Sequence, residues 1–317
     1  MSLLMDDRGV ALVALGRALQ DAAYTFTTIT PETHRHVLAR AESAGQLEAR
    51  SLRDVFGWSR PFASGLLPAR LSEHARAAGV LVPEGALLRS TVRFSSLKGH
   101  LFVHSAYPTH AEDAVFFGPD TYRFCNYLAD EAQRAPRFER AVDIGCGSGA
   151  GGIIAAPHAA RVVLTDVNQA ALRLAQVNTV LAGVERRVEL VESDVLASVS
   201  GPIDLVVANP PYMVDPTSRA YRSGGGSFGE ALAVRIARES LARLEPGGRL
   251  MLYTGAAFVD GVDTFLDAVR GVCDEARAEW HYRELDPDVF GEEIAQNDAY
   301  ASVERIAAVA LTATTVR

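Results

Sequence analysis

Asp143-Ile144-Gly145-Cys146-Gly147-Ser148-Gly149, entered from the apolar run 141–144, decides the fold class. A short Ala, Val and Ile run reads as a buried strand, and glycines at alternate positions permit a tight turn that brings backbone amides close to a ligand. Taken alone, such a turn serves the pyrophosphate of a dinucleotide equally well, or makes a tight connection with no ligand. Outward from it, residues 161–165, 188–191, 205–208 and 249–253 repeat the strand pattern. Helical runs at 169–181 and 229–244 separate them, the second stopping at Glu245-Pro246-Gly247-Gly248. This alternation predicts an α/β domain with a mostly parallel sheet. Apolar alternations at 278–285 and 302–314 read as the last two strands, joined by an acidic stretch, 286–298, that reads as a solvated connection.

Carboxylates recur after the strands. Thr165-Asp166-Val167-Asn168 sets Asp166 at the carboxyl edge of the sheet, where it can accept from both hydroxyls of a ribose, and Asp194 in Glu192-Ser193-Asp194-Val195-Leu196 is placed to accept from an adenine amino group. The strand 205–208 then delivers Asn209-Pro210-Pro211-Tyr212 to the same edge. An amide or nucleobase amino nitrogen is a poor nucleophile because its lone pair is delocalised. The Asn209 side-chain carbonyl and the Pro210 backbone carbonyl can each accept from an NH2 group and orient that lone pair. Tyr212 can lie against a flat substrate and favour the positive charge developing on nitrogen.

This tetrad, with the glycine turn before it, resembles the class I S-adenosylmethionine-dependent methyltransferases that modify amide or amino nitrogens. The resemblance implies a seven-stranded sheet and S-adenosyl-L-methionine as cofactor, held by Gly145, Gly147, Gly149, Asp166, Asp194 and Val195, with Asp143 beneath its methionine end. It implies catalytic roles for Asn209, Pro210 and Tyr212. Within the superfamily the chain is most similar to release-factor glutamine methyltransferases, through Phe117-Gly118-Pro119-Asp120-Thr121, the glycine-bearing segment 221–229 and Glu304-Arg305-Ile306-Ala307. Gly118 and Tyr122 stand where that family has Arg and Glu. The expected reaction is N-methylation of a protein glutamine, with an exocyclic amine of ribosomal RNA or DNA as the alternative acceptor. A dinucleotide oxidoreductase and a non-catalytic binding module are the readings from other classes.

The first 110 residues lack the α/β rhythm. Helical stretches at 33–44, 51–56 and 69–79 precede β-like runs at 88–95 and 100–105, joined at Leu97-Lys98-Gly99. Three helices and a hairpin resemble a winged helix, read here as a packing or substrate-recognition module with Trp58 and Phe62 in its core. The expected domains are therefore 1–110, a smaller α+β part, and 111–317, the methyltransferase part.

Of the 317 residues 48% are hydrophobic and 22% charged, a balance that excludes a disordered chain. The net charge of −8 divides into +3 over residues 1–110 and −11 over 111–317, which disfavours a long non-specific grip on nucleic acid. No apolar run approaches the roughly 20 residues that span a bilayer. Asp6, Asp7 and Arg17 bracket the first apolar run, which reads as a helix rather than a signal. Cys125, Cys146 and Cys273 have neither metal nor disulfide spacing, so a reducing cytoplasm and no membrane partner are expected. His100, His104 and His110 lack metal-like companions, and no metal is expected.

Overall fold

The structure, a computed structural model, describes residues 5–109, 111–135, 137–214 and 222–316. In chain order it begins with α1 (Asp7–Asp21), α2 (Pro31–Ser43), α3 (Leu52–Phe56), α4 (Ala69–Ala77), β1 (Leu81–Glu84), β2 (Leu87–Ser90), β3 (Val92–Leu97) and β4 (His100–Ser105). There follow α5 (Pro119–Gln133), β5 (Phe138–Ile144), α6 (Ala150–Ala155), β6 (Ala159–Asp166), α7 (Gln169–Ala182), β7 (Val188–Glu192) and β8 (Leu205–Ala208). The chain continues through α8 (Ala231–Arg243), β9 (Arg249–Val259), β10 (Val262–Asp263), α9 (Thr264–Glu275), β11 (Glu279–Asp286), α10 (Gly291–Gln296) and β12 (Arg305–Thr314). None of the described helices is long and apolar enough to cross a membrane.

Two compact units result. One gathers the chain up to Tyr122 with Gly147–Gly149 and Ala170–Arg186; the other takes Arg123–Cys146, Ala150–Gln169 and everything from Arg187. The first unit starts its helices on side-chain caps: Asp6 accepts from Gly9 N, Thr30 from Thr33 N ahead of Pro31, and Ser51 from Asp54 N. Leu15, Leu19, Phe56, Phe62, Phe94 and Val103 fill its core, with Trp58 packed against them and Val177 of α7 closing it. The run read from sequence as one strand, 88–95, is broken at Thr91. Ser90 Oγ accepts from Val92 N and donates to Val92 O, turning the chain, so β2 pairs with β1 and β3 with β4.

The second unit is built on one sheet of order β11-β12-β9-β8-β5-β6-β7, with two-residue β10 folded back on β9. Strands β5 to β9 run parallel, and β12 is antiparallel to both its neighbours. The parallel strands are covered on both faces, which is why 205–208 is wholly apolar and wholly buried. Sheet order reverses between β5 and β8, and the crevice at such a reversal is where open α/β sheets place ligands.

Candidate active site

Strands β5 and β8 pair in parallel with Ile144 opposite Ala208, so Gly145 and Asn209 leave the sheet side by side at the same level. On the β5 side the chain turns through left-handed glycines, with φ of 64° at Gly145, 52° at Gly147 and 78° at Gly149. A Cβ added at Gly145 or Gly147 would meet nothing within 4 Å. That open face lets a ligand reach the backbone amides, as a nucleoside-bearing cofactor requires. The loop is tied down locally: Cys146 N donates to Thr165 O at 2.8 Å.

Asp143 is 2% exposed, and its carboxylate accepts from Gly152 N at 2.7 Å, joining β5 to the start of α6. Burial pushes this carboxyl up from 3.8 to about 7, against the Gly152 hydrogen bond and with help from Asp166. Gly151 and Gly152 serve packing. A Cβ at Gly151 would collide with Phe124 and the Asp143 carboxylate, and one at Gly152 with Leu164. Ser148, within the glycine turn, is held by Asn178 of α7, whose Nδ2 donates to Ser148 O at 2.9 Å. The same fully buried side chain pairs both backbone groups of Val103.

At the next two strand ends, Asp166 Oδ1 accepts from Asn168 N at 2.9 Å and Ser193 N donates to Asp166 O at 3.1 Å. Asp194 lies exposed, with both carboxylate oxygens accepting from Arg235 of α8 at 2.9 Å. Val195 is buried and left-handed at φ 51°, so the chain bends sharply beneath Asp194.

Asn209 is half-buried and Pro210 buried. The Asn209 carboxamide makes no hydrogen bond among the described residues. Tyr212 is 6% exposed. The glycine-bearing segment clamps this tetrad from behind: a Cβ at Gly229 would collide with Tyr212 O, and one at Gly224 with Gly229 O and Pro211 O. Met213 N donates to Arg222 O at 3.0 Å and Gly224 N to Met213 O at 2.9 Å. Tyr221, quoted with this segment, lies outside the described residues, as does His110. Gly255 of β9 lies against the Tyr212 ring, where any Cβ would strike it.

The acidic stretch 286–298 stays largely in reach of solvent, with Val289 its buried residue, but it is more than a connection. It folds into α10 and a 3-10 turn, Asp298–Tyr300, with Tyr300 1% exposed. Phe290 meets the Tyr212 ring edge-on, centroids 6.0 Å apart at 70°. Glu293 pairs with Arg222, Asn297 Nδ2 donates to Val214 O, and Tyr300 OH accepts from Val214 N. Val289 and, just beyond the stretch, Tyr300 are its buried anchors.

The segment 117–122 opens α5: Thr121 Oγ1 accepts from Gly118 N, and Tyr122 OH accepts from Thr28 N at 3.0 Å. His104 stacks on Phe117 and exchanges a hydrogen bond with Ser95 Oγ at 2.7 Å; burial holds it neutral, with its pKa well below the usual histidine range. Among the described residues no group of three or more His, Cys, Asp or Glu could hold a metal ion.

A glycine turn and an Asn-Pro-Pro-Tyr tetrad at adjacent strand ends, on a sheet of this order, define a class I methyltransferase fold. The chain belongs to the methyltransferase small domain family, which matches residues 124–282. It therefore carries a methyltransferase domain of the S-adenosylmethionine-dependent class. The release factor glutamine methyltransferase of Deinococcus radiodurans is 35% identical over 149 residues, covering 42% of this chain and 51% of that protein. That of Cereibacter sphaeroides is 38% identical over 141 residues, 40% of this chain and 50% of that one. The ribosomal RNA small subunit methyltransferase C of Chromohalobacter salexigens is 34% identical over 121 residues, 38% and 33% of the two chains. The chain thus spans about half the length of the first two relatives. Among solved structures, the tRNA m1G37 methyltransferase of M. jannaschii superposes with a TM-score of 0.50 at 17% identity, over 72% of this chain and 57% of that one, a likeness of fold.

Proposed function

We propose that this chain transfers a methyl group from S-adenosyl-L-methionine to a planar amide nitrogen of a protein, a glutamine side chain. The observation that carries this is the Asn209 carboxamide: half-buried, level with Gly145, and without a hydrogen-bond partner among the described residues. A half-buried carboxamide at a strand end that pairs with no described residue has its carbonyl available to an incoming donor.

On this reading the amides of Gly145, Gly147 and Gly149 face the cofactor, Asp166 takes its ribose hydroxyls, Asp194 and Val195 its adenine, and Asp143 supports the turn beneath its methionine end. Bound S-adenosylmethionine supplies an electrophilic methyl on a sulfonium. The Asn209 carbonyl and the Pro210 carbonyl accept the two hydrogens of the acceptor NH2, which turns its lone pair out of conjugation. As the nitrogen gained its bond to the methyl carbon, the carbon–sulfur bond would break with its electron pair left on sulfur, giving S-adenosylhomocysteine; the nitrogen, cationic beside the Tyr212 ring, would then lose a proton to water. Holding the nitrogen in line accounts for as much as roughly 7–11 kcal/mol of the barrier, so positioning outweighs any single hydrogen bond.

A protein amide is favoured over a nucleobase by two observations. Tyr212 is 6% exposed, which suits a small flat group better than a stacked base. Residues 111–317 carry a net charge of −11, ill suited to a phosphate backbone. The test incubates purified protein and methyl-labelled S-adenosylmethionine with extract of a strain lacking it, followed by protease or nuclease. Label released by protease alone is expected. Label released by nuclease alone overturns the amide reading and moves the acceptor to a nucleic-acid amine.

A further inference from the structure

We propose that Phe290 is a positioning residue of the acceptor site, whose ring fixes the plane in which Tyr212 meets the flat acceptor group. The proposal rests on the reading of Tyr212 given above. Among the described residues, two flank the Tyr212 ring. One is Gly255, where the lack of a Cβ admits the ring against β9; the other is Phe290, edge-on at 6.0 Å and 70°. An edge-to-face aromatic pair has a preferred angle, which an aliphatic side chain of similar volume does not impose.

Phe290 is also held where a phenylalanine is uncomfortable. Its φ is 56°, in the left-handed region, and Gly291 follows it. A glycine would occupy position 290 without strain, so the backbone there bears strain while keeping a large ring in place. The turn is pinned on both sides. Val289, 5% exposed, donates its N–H to Ile306 O at 2.8 Å, and Glu293 pairs with Arg222 in the segment that clamps the tetrad. Beyond α10, Asn297 and Tyr300 take both backbone groups of Val214 at 2.7 Å. The element carrying Phe290 therefore grips the chain two residues past Tyr212, and ring and tetrad move as one body.

The test compares Phe290→Leu, which keeps apolar bulk, with Phe290→Tyr, which keeps the ring. Labelling rate is measured against serial dilutions of the extract used above, alongside calorimetric binding of S-adenosylhomocysteine and the melting temperature. Phe290→Leu is expected to raise the extract concentration giving half-maximal labelling roughly two- to tenfold. Cofactor-product binding should stay unchanged, and Phe290→Tyr should restore the parent value. Two results overturn the proposal: Phe290→Leu labelling like the parent, or losing S-adenosylhomocysteine binding and melting temperature together with labelling. Asn209→Ala, run in parallel, separates the two layers. If it still labels, the reading of the acceptor site fails; if it is silent while Phe290→Leu is unaffected, only the role of Phe290 fails.

Discussion

At Gly145 and Gly147 an added Cβ would meet nothing within 4 Å, whereas at Gly224, Gly229 and Gly255 it would collide with backbone or with the Tyr212 ring. The first pair lies in one contiguous turn after β5. The second set comes from two other segments of the chain, brought against a tetrad at the end of β8. On the proposed reading, glycine beside the cofactor leaves room for a ligand, and glycine beside the acceptor leaves room for the protein itself. The turn after β5 is written along the chain as alternating glycines, although Thr165 and Asn178 hold it in place, while the surroundings of the tetrad exist only once the sheet has formed.

Four substitutions break or sharpen that contrast. The largest effect is expected from Asn209→Ala, which on the proposed reading removes a contact to the acceptor and breaks no hydrogen bond among the described residues. Turnover should fall roughly a hundred- to a thousandfold with S-adenosylhomocysteine binding intact. Retained labelling would remove Asn209 from the chemistry. Next comes Gly255→Ala, which pushes on Tyr212. Overpacking of this kind costs about 1–3 kcal/mol, read as a lower melting temperature, and labelling should drop while cofactor affinity holds. A fall in cofactor affinity instead would mean that the two sides are not separable.

Gly147→Ala should do the reverse. The left-handed backbone makes alanine cost about 1–2 kcal/mol, and the new methyl enters the open face, so S-adenosylhomocysteine should bind about tenfold more weakly. Unchanged affinity would show that the open face is not where the cofactor lies. The smallest effect concerns Asp143. Because its carboxyl is raised to about 7 in the folded chain, the folded state holds a proton the unfolded chain has lost. Its contribution to stability is complete below 3.8 and is lost as the pH rises through about 7. The D143N variant, which can still accept from Gly152, should therefore gain melting temperature relative to the parent between pH 5 and pH 8; parallel curves would refute the shift.

Much of this was legible in the residues. The central strands β5, β6, β8 and β9 follow Val, Leu and Ile runs because a parallel sheet covered on both faces is apolar there. The turn 145–149 and the strand-end positions of Asp166, Asp194 and Asn209 follow from that alternation. Phe290, Asn297 and Tyr300 were not legible, because nothing in an acidic stretch announces that one aromatic ring will face Tyr212 from 78 positions away in the chain. Asn178 was hidden similarly: in a helix, its buried amide reads as an ordinary polar residue until Val103 and Ser148 are brought to it.

What the sequence by itself determined is the set of local structures: where strands end, where the chain turns left-handed, and which polar groups stand at those ends. Backbone sterics and apolar periodicity act over a few residues, so they are written along the chain. Only the tertiary structure decided which of those ends meet, that Arg235 engages Asp194, and that Gly255 and Phe290 flank Tyr212. Such contacts depend on sheet order and register, which bring distant residues within a few ångströms and leave no mark in the spacing of either one.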